Sequence, residues 1–389
     1  MSSVARDIRQ LGRYPALVVW SLFVLMAPFY VLPSGLPQPN DILVVVLVPV
    51  TLIQWNGRLN RTFSRTFRML VWFVLWICLV NYSWAIIMAK TAILKSFAIF
   101  PIYYVFNASV FLSVLILYQR AGATVLRLTV YMIFAAVMFQ VLASFVVGGG
   151  MHRSVLFFNS PNQLGYYALL AASLIAIIQR RLGFGLLKAS AGLTGCAYLA
   201  LLSGSRAAIA GIAILFFLLV FSNPRIIILA SLAAVLLLTI GGPIVASLDR
   251  LQDRVTTNRN PHLSFAEERG YDRLWTHARY LAVGAGEGDV ARFQDKPTSP
   301  GEIHSSFATV LFSYGIVGLG LFLVFLRRLV QGASLRTLAM LAPTLAFTLA
   351  HNGLRETMLW VLLAIFLALK VPTPSGTPPA PRRLGRDFA

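Results

Sequence analysis

The amino-acid sequence predicts an all-α polytopic membrane protein of about twelve transmembrane helices, with one long extracytoplasmic loop containing short helices. Three observations predict it. The 389-residue chain is 58% hydrophobic and only 12% charged, with a mean hydropathy of +0.76, a balance suited to life in a bilayer. Its apolar residues fall into runs near 16–32, 41–55, 69–89, 96–118, 128–147, 163–178, 189–203, 207–221, 226–246, 304–326, 337–350 and 357–371. Its polar residues gather in one insertion, residues 249–304, which holds nine of the thirteen acidic residues, eight Lys/Arg and three of the five histidines. A membrane chain that collects its polar groups in one loop is expected to do its chemistry there.

Four regions follow: 1–246 with spans one to nine, 247–303 as the extracytoplasmic loop, 304–371 with spans ten to twelve, and 372–389 as a Pro-rich, basic, disordered cytoplasmic tail. Alternating the spans from a cytoplasmic start puts twenty Lys/Arg on inner segments, among them Arg6, Arg9, Arg13, Arg58, Arg61, Arg65 and Arg68. The short outer segments hold only Lys90, Lys95, Arg153, Arg206 and Arg355. That bias places both termini in the cytoplasm and the long loop outside. The net charge of +20 is then a topology signal whose partners are anionic lipid headgroups, not nucleic acid.

Residues 16–32 lack a small-residue cleavage site after Arg6, Arg9 and Arg13, and read as a first span rather than a signal peptide. Cys78 and Cys196 lie inside apolar runs and read as packing residues. Residues 56–68 (NGRLNRTFSRTFR) read as an amphipathic strip on the inner surface. All five histidines fall on the outer side, whereas none of the carboxylates lies within an apolar run, which argues against an intramembrane carboxylate relay.

Several short stretches could carry chemistry. In FNSPNQLG, Ser160 suits an N-cap and Pro161 a first helical position. Asn159, Asn162 and Gln163 could equally hydrogen-bond sugar hydroxyls there. SGSR sets Arg206 beside a helix start, where free backbone N–H groups and a guanidinium suit an anion; a lone arginine can also merely snorkel. In the loop, Ser264 and Glu267 form a capping box that predicts a helix from about Phe265. On a continuous helix Tyr271, Leu274, Trp275, Ala278 and Ala282 form an apolar face, and Arg269, Arg273 and His277 share a polar one. Like charges at that spacing suit a bound anion, although Glu267, Glu268 and Asp272 could also neutralise them. GAGEG (284–288) lacks the Gly-Lys-Ser/Thr of a phosphate loop and reads as a turn. His304 opens the tenth span, and HNGLRE gathers His351, Asn352, Arg355 and Glu356, the last two as a local ion pair.

SPNQLG before a span, SGSR at an outer turn, a long outer loop between spans nine and ten, and an HSS…SYGIVGL span together resemble the O-antigen ligase and O-antigen polymerase superfamily. The resemblance covers residues 155–330 in detail and the rest by topology. It implies a glycosyltransferase on the outer face of a bacterial inner membrane, taking an oligosaccharide from an undecaprenyl-diphosphate carrier without metal or other cofactor. The acceptor is a second lipid-linked repeat unit in a polymerase and the lipid A core in a ligase. The family's diphosphate-binding arginines map onto Arg206 and onto Arg269 or Arg273, and its acceptor-side histidine onto His304. Weaker acceptor or sugar contacts are Asn159, Asn162, Gln163, His277, His351 and Arg355. The chemistry agrees: guanidinium forks stabilise a polyanionic leaving group, and a near-neutral histidine suits proton removal from a sugar hydroxyl. A secondary transporter is the alternative of another class, since twelve spans with both ends inside fit many.

Overall fold

In the computed structural model the described residues are 3–33, 36–88, 91–147, 154–220, 264–293 and 302–371, with Arg225, Ile228, Ala230 and Ser231 between them. They are all-helical, without a strand. After a short amphipathic α1 (Ser3–Arg13) come α2 (Pro15–Met26), α3 (Pro39–Ile53), α4 (Arg61–Met88), α5 (Thr91–Ala121) and α6 (Ala123–Val147). Next are α7 (Pro161–Leu182), α8 (Leu186–Ser203) and α9 (Arg206–Val220). The polar insertion contributes α10 (Phe265–Glu268), α11 (Arg273–Thr276) and two 3₁₀ turns; α12 (Ser306–Val330), α13 (Leu335–Ala350) and α14 (Thr357–Ala368) close the bundle. Eleven of the twelve expected spans thus coincide with an apolar helix. Of the ninth, residues 226–246, only Ile228, Ala230 and Ser231 are described; the loop residues 249–263 and 294–301 and the tail 372–389 lie outside the described residues.

Among the described residues six helices are long and apolar enough to cross a membrane: Arg61–Met88, Phe97–Ala121, Ala123–Val146, Pro161–Leu182, Leu186–Ser203 and Ser306–Val330. Five more apolar helices are shorter. Residues 61–68 do not lie as a separate surface strip; they are the first two turns of α4, with Phe63 buried.

The hub is α7, buried on every face from Leu164 through Ile178. A helix apolar all round needs neighbours all round, and α6, α8, α9, α13 and α14 supply them. Small residues let them close in: a Cβ on Gly165 would come within 3 Å of Ser203 Oγ and Ser205 Cβ. The periphery is apolar in the opposite sense, with Ile42, Ile86, Val146 and Ile316 all exposed.

The turns fall at two ends of the bundle. At the first, Asp7 pairs with Arg127, Asn60 N–H donates to Gln119, and Lys370 donates to the last carbonyls of α12. At the second, Tyr30 N–H bonds Phe157, Ser154 N–H bonds Leu202, Gly353 packs on Tyr166, and the insertion rests on the ends of α12 and α13. Among the described residues, the turns joined at the first end are ones expected inside, and those joined at the second are ones expected outside.

The tenth expected span is not one straight helix. Two helical segments of α12 meet at Gly315, whose φ of 67° and ψ of −173° only glycine adopts without strain.

Candidate functional site

The insertion begins as its sequence requires. Ser264 Oγ accepts from Glu267 N–H and the Glu267 carboxylate accepts from Ser264 N–H, closing the capping box. The helix then stops after one turn. Gly270 takes φ of 69°, its N–H bonds the Glu267 carbonyl, and Tyr271 N–H bonds the Ala266 carbonyl, the paired bonds that end a helix on a left-handed glycine. The expected continuous helix, with Arg269, Arg273 and His277 on one face, is therefore corrected. Arg269 belongs to the end of α10, Arg273 opens α11, and His277 caps it. The apolar face survives in part: Tyr271 and Leu274 pack against Ala285, Phe293, Ile303 and Phe312, whereas Trp275 is exposed.

GAGEG is more than a turn. It threads between α4, α5 and α12 to meet the break at Gly315. There the carbonyls of Phe312 and Ser313 accept from Ala285 and Gly286 N–H, while the Tyr314 and Gly284 carbonyls accept from Trp76 and Trp84 Nε1. Any Cβ on Gly284 would collide with the Ser313 carbonyl, and one on Gly315 with the Ala282 carbonyl. Both glycines are there for backbone approach.

This approach carries Glu287 into the bundle. Its carboxylate is 5% exposed. One oxygen accepts from Arg355 Nε and Nη2, the other from Tyr104 and Tyr314 hydroxyls at 3.1 and 2.8 Å. Asn81, itself buried, bonds the Glu287 N–H and carbonyl. Four donors occupy the carboxylate's four acceptor sites, so Glu287 anchors rather than reacts. The expectation of no intramembrane carboxylate relay rests on the apolar runs, and Glu287 lies in none of them; it reaches the bundle from the loop, against Tyr314 eight residues into α12 and about 12 Å down its axis. Apolar runs missed it because a loop delivers the group. The signals were present in three alternating glycines, in Asn81 within an apolar run, and in Trp76 and Trp84 on the same face of α4.

Arg355 pairs with Glu287 and, through Nη1, with Glu302 at 2.8 Å, and lies over the Phe100 ring. Its expected partner Glu356 instead accepts from Tyr30 at 3.4 Å. The two carboxylates outweigh burial and hold the Arg355 pKa above the ordinary arginine value, while burial raises Glu356 to about 7. Neutralised on both sides, Arg355 is poorly placed to bind an anion.

Arg269 and His304 are stitched together. His304 N–H donates to the Arg269 carbonyl at 2.9 Å, Arg269 Nη1 donates to the Ala350 carbonyl, and Tyr271 hydroxyl donates to His304 and Leu349 carbonyls. The cation thereby meets the C-terminus of α13, a favourable placement in itself. His304 remains exposed at the surface. Partial desolvation first, and the Arg269 charge second, hold its pKa below the ordinary 6.5, against Glu302 and Glu268.

Arg273 is 3% exposed and lines a pocket with Glu287, Glu302, Asn352, Arg355 and phenylalanines 100, 293 and 312. Arg206 is exposed at the first residue of α9, at the same end of the bundle. His277 stands edge-on to Phe293, and His351 stacks on Phe347. Asn159 bonds the Leu32 carbonyl, Gln163 completes the Ser160 capping box, and Asn162 is exposed. Pro161 opens α7 as expected. Arg292, which the sequence did not single out, donates to the Ala285 carbonyl and lies over the Trp84, Phe97 and Phe293 rings. Among the described residues no three His, Cys, Asp or Glu side chains converge as a metal site requires.

The site thus joins a partly desolvated histidine, an adjacent arginine and a charge-balanced pocket at one end of an all-helical bundle. No protein-family model matches the chain, and no curated protein matches it.

Proposed function

We propose that the chain is a membrane glycosyltransferase that moves a glycan from a diphosphate-linked polyprenyl carrier, such as undecaprenyl diphosphate, to a glycan acceptor. The acceptor is a second lipid-linked repeat unit in a polymerase, or the lipid A core in a ligase. On this reading the apolar helices make about twelve spans of a bacterial inner membrane, with both termini cytoplasmic and the insertion outside.

The observation that carries it is the His304–Arg269 junction, a base of depressed pKa bonded through the backbone to an arginine. Neutral imidazole takes the acceptor hydroxyl proton as that oxygen forms its bond to the anomeric carbon. The bond from that carbon to the phosphate oxygen breaks, and its electron pair leaves with the diphosphate. Arg206 and Arg269 offset the leaving charge; Arg273, 3% exposed in the pocket lined by Glu287 and Glu302, is set apart from them. A base must be unprotonated, and the depressed pKa keeps it so to lower pH than an ordinary histidine.

The transporter alternative gains one observation, the carboxylate of Glu287 between helices. Four donors saturate it, whereas a coupling carboxylate must exchange its proton. The test is transfer by the purified chain in detergent or nanodiscs, supplied with a polyprenyl-diphosphate-linked oligosaccharide and acceptor. Lengthened or transferred glycan supports the reading; none, alongside substrate flux in sealed vesicles, replaces it with transport.

A further inference from the structure

A second cavity plays no part in glycan transfer as read above. It lies between α4 and the insertion, with a volume of about 630 Å³. One wall is a single face of α4, where Trp76, Leu79, Val80, Ser83, Trp84 and Ile87 recur at three- and four-residue spacing. The other wall is Arg279, Tyr280, Val283 and Gly284 of the insertion. Trp76 and Trp84 spend their indole N–H groups on the Tyr314 and Gly284 carbonyls, so their rings offer the groove no free donor. Leu79, Ile87 and Val283 are exposed along it.

Length and charge define the occupant. Trp76 and Ile87 stand eleven residues apart, about 16 Å along the helix. The hydrocarbon core of a bilayer is about 30 Å thick, so one leaflet supplies about half of that, and the groove is one leaflet deep. Its volume equals roughly twenty water-sized groups at about 30 Å³ each, the bulk of one acyl chain. A polyprenyl carrier's far longer tail exceeds both measures. Arg279 is the one charged residue lining the groove. It is exposed, lies over the Tyr280 ring and donates to the Tyr280 hydroxyl at 3.4 Å, and no carboxylate among the described residues pairs with it. An apolar channel with one cation on its polar wall matches an amphiphile with one negative charge. Arg206 and Arg269, assigned to the diphosphate, do not line it.

We propose that this groove is a binding site for an anionic glycerophospholipid of the outer leaflet, one acyl chain lying along α4 and the phosphodiester pairing with Arg279. On the membrane reading this lipid is a structural ligand, distinct from donor and acceptor, and the site stands whether or not the chain transfers glycan. Its effect is local. Trp76 and Trp84 form the wall of the groove and also hold the junction of Gly284 with the break at Gly315. A seated acyl chain therefore braces the junction that carries Glu287 between the helices.

The experiment is native mass spectrometry of the delipidated full chain in mild detergent, offered phosphatidylglycerol, phosphatidylethanolamine or undecaprenyl phosphate at equal concentration. One phosphatidylglycerol per chain should be retained, about fivefold more strongly than phosphatidylethanolamine, the weight of one cation near an anionic headgroup. Arg279→Gln should remove that preference. Ser83→Phe, whose ring occupies the groove, should lower retention of both phospholipids by at least about the same factor. Both residues are exposed, so both variants should fold, which Tm in the lipid-free sample checks; if Ser83→Phe misfolds, the headgroup preference and its loss in Arg279→Gln decide alone. Phospholipid retained equally whatever its headgroup, or unaffected by Ser83→Phe, is an unspecific bilayer shell and overturns the site. Preferred retention of undecaprenyl phosphate gives the groove to the carrier, and a dimer that lipid dissociates gives it to a second copy; either overturns the proposal.

Discussion

The two ends of the bundle are built on opposite terms. At one end a single pair of opposite charges stands out among the described residues: Asp7 meets Arg127 and Thr124 half-buried, and basic residues follow one another with few acids between them. At the other end acids and bases are mixed, and three of them are linked. Glu287, Arg355 and Glu302 form a chain of ion pairs running from exposed Glu302 to enclosed Glu287, and Asn81, Tyr104 and Tyr314 close it. An exposed charge gains little from its partner and can be exchanged freely, whereas an enclosed one fixes the geometry around it. The first end is suited to orienting a chain in a bilayer, the second to holding reactive groups in place.

Substitutions can break that contrast, in descending order of effect. His304→Ala should lower transfer by about 10²–10⁴-fold, the range a general base supplies, with folding intact because its contacts run through its backbone. The wild-type rate should hold as pH falls to the depressed histidine value and drop only below it. A His304→Ala chain of near-normal turnover removes the base from the mechanism. Glu287→Ala should cost about 3–5 kcal/mol by leaving Arg355 enclosed with one carboxylate. Thermal unfolding in detergent reads it, and an unchanged Tm would mean the enclosed network does not hold the site.

Arg269→Ala and Arg206→Ala should each slow transfer roughly 10–100-fold, since a charged hydrogen bond contributes about 1.5–3 kcal/mol. Lysine should rescue poorly, lacking the bidentate fork; full rescue at Arg206 would leave it a snorkelling residue. Glu356 offers a pH measurement. Its folded pKa of about 7 lies above the ordinary 4.5, so its contribution is complete below 4.5 and lost as pH rises through 7. Glu356→Gln should therefore flatten the fall in Tm between pH 5 and 8, by an amount on the order of 2 kcal/mol. The smallest effect belongs to the other end: Asp7→Asn should change stability by about 1 kcal/mol or less. A larger loss there would erase the distinction between the ends.

Local chemistry made much of this legible. Ser160, Pro161 and Gln163 announce the start of α7, Ser264 and Glu267 that of α10, and the apolar runs mark eleven helices. What escaped depends on residues far apart in the chain. Gly315 resembles a glycine that a helix tolerates, and only the distant backbone of Ala282 and Val283 shows that it breaks one. Glu287 sits in a hydrophilic stretch, so no hydropathy window could bury it. Arg355 has an acid next door, yet its partners stand 53 and 68 residues away. Short-range signals fix where helices begin; close approach of distant segments decides where they break and which charges they enclose.

The break at Gly315 also bears on how the protein is made. In hydrocarbon an unsatisfied backbone group costs several kcal/mol, and the carbonyls of Phe312 and Ser313 at the break accept from Ala285 and Gly286 N–H. On the membrane reading, this segment cannot partition into lipid in its final shape until the preceding polar stretch has been translocated and has docked. Biogenesis thus acquires an order. On that same reading the insertion crosses first, folds back second, and only then does the tenth helix take its bend. A chain with Gly284 or Gly315 replaced should stall at that step, reaching the membrane with its polar segment exported but open to protease.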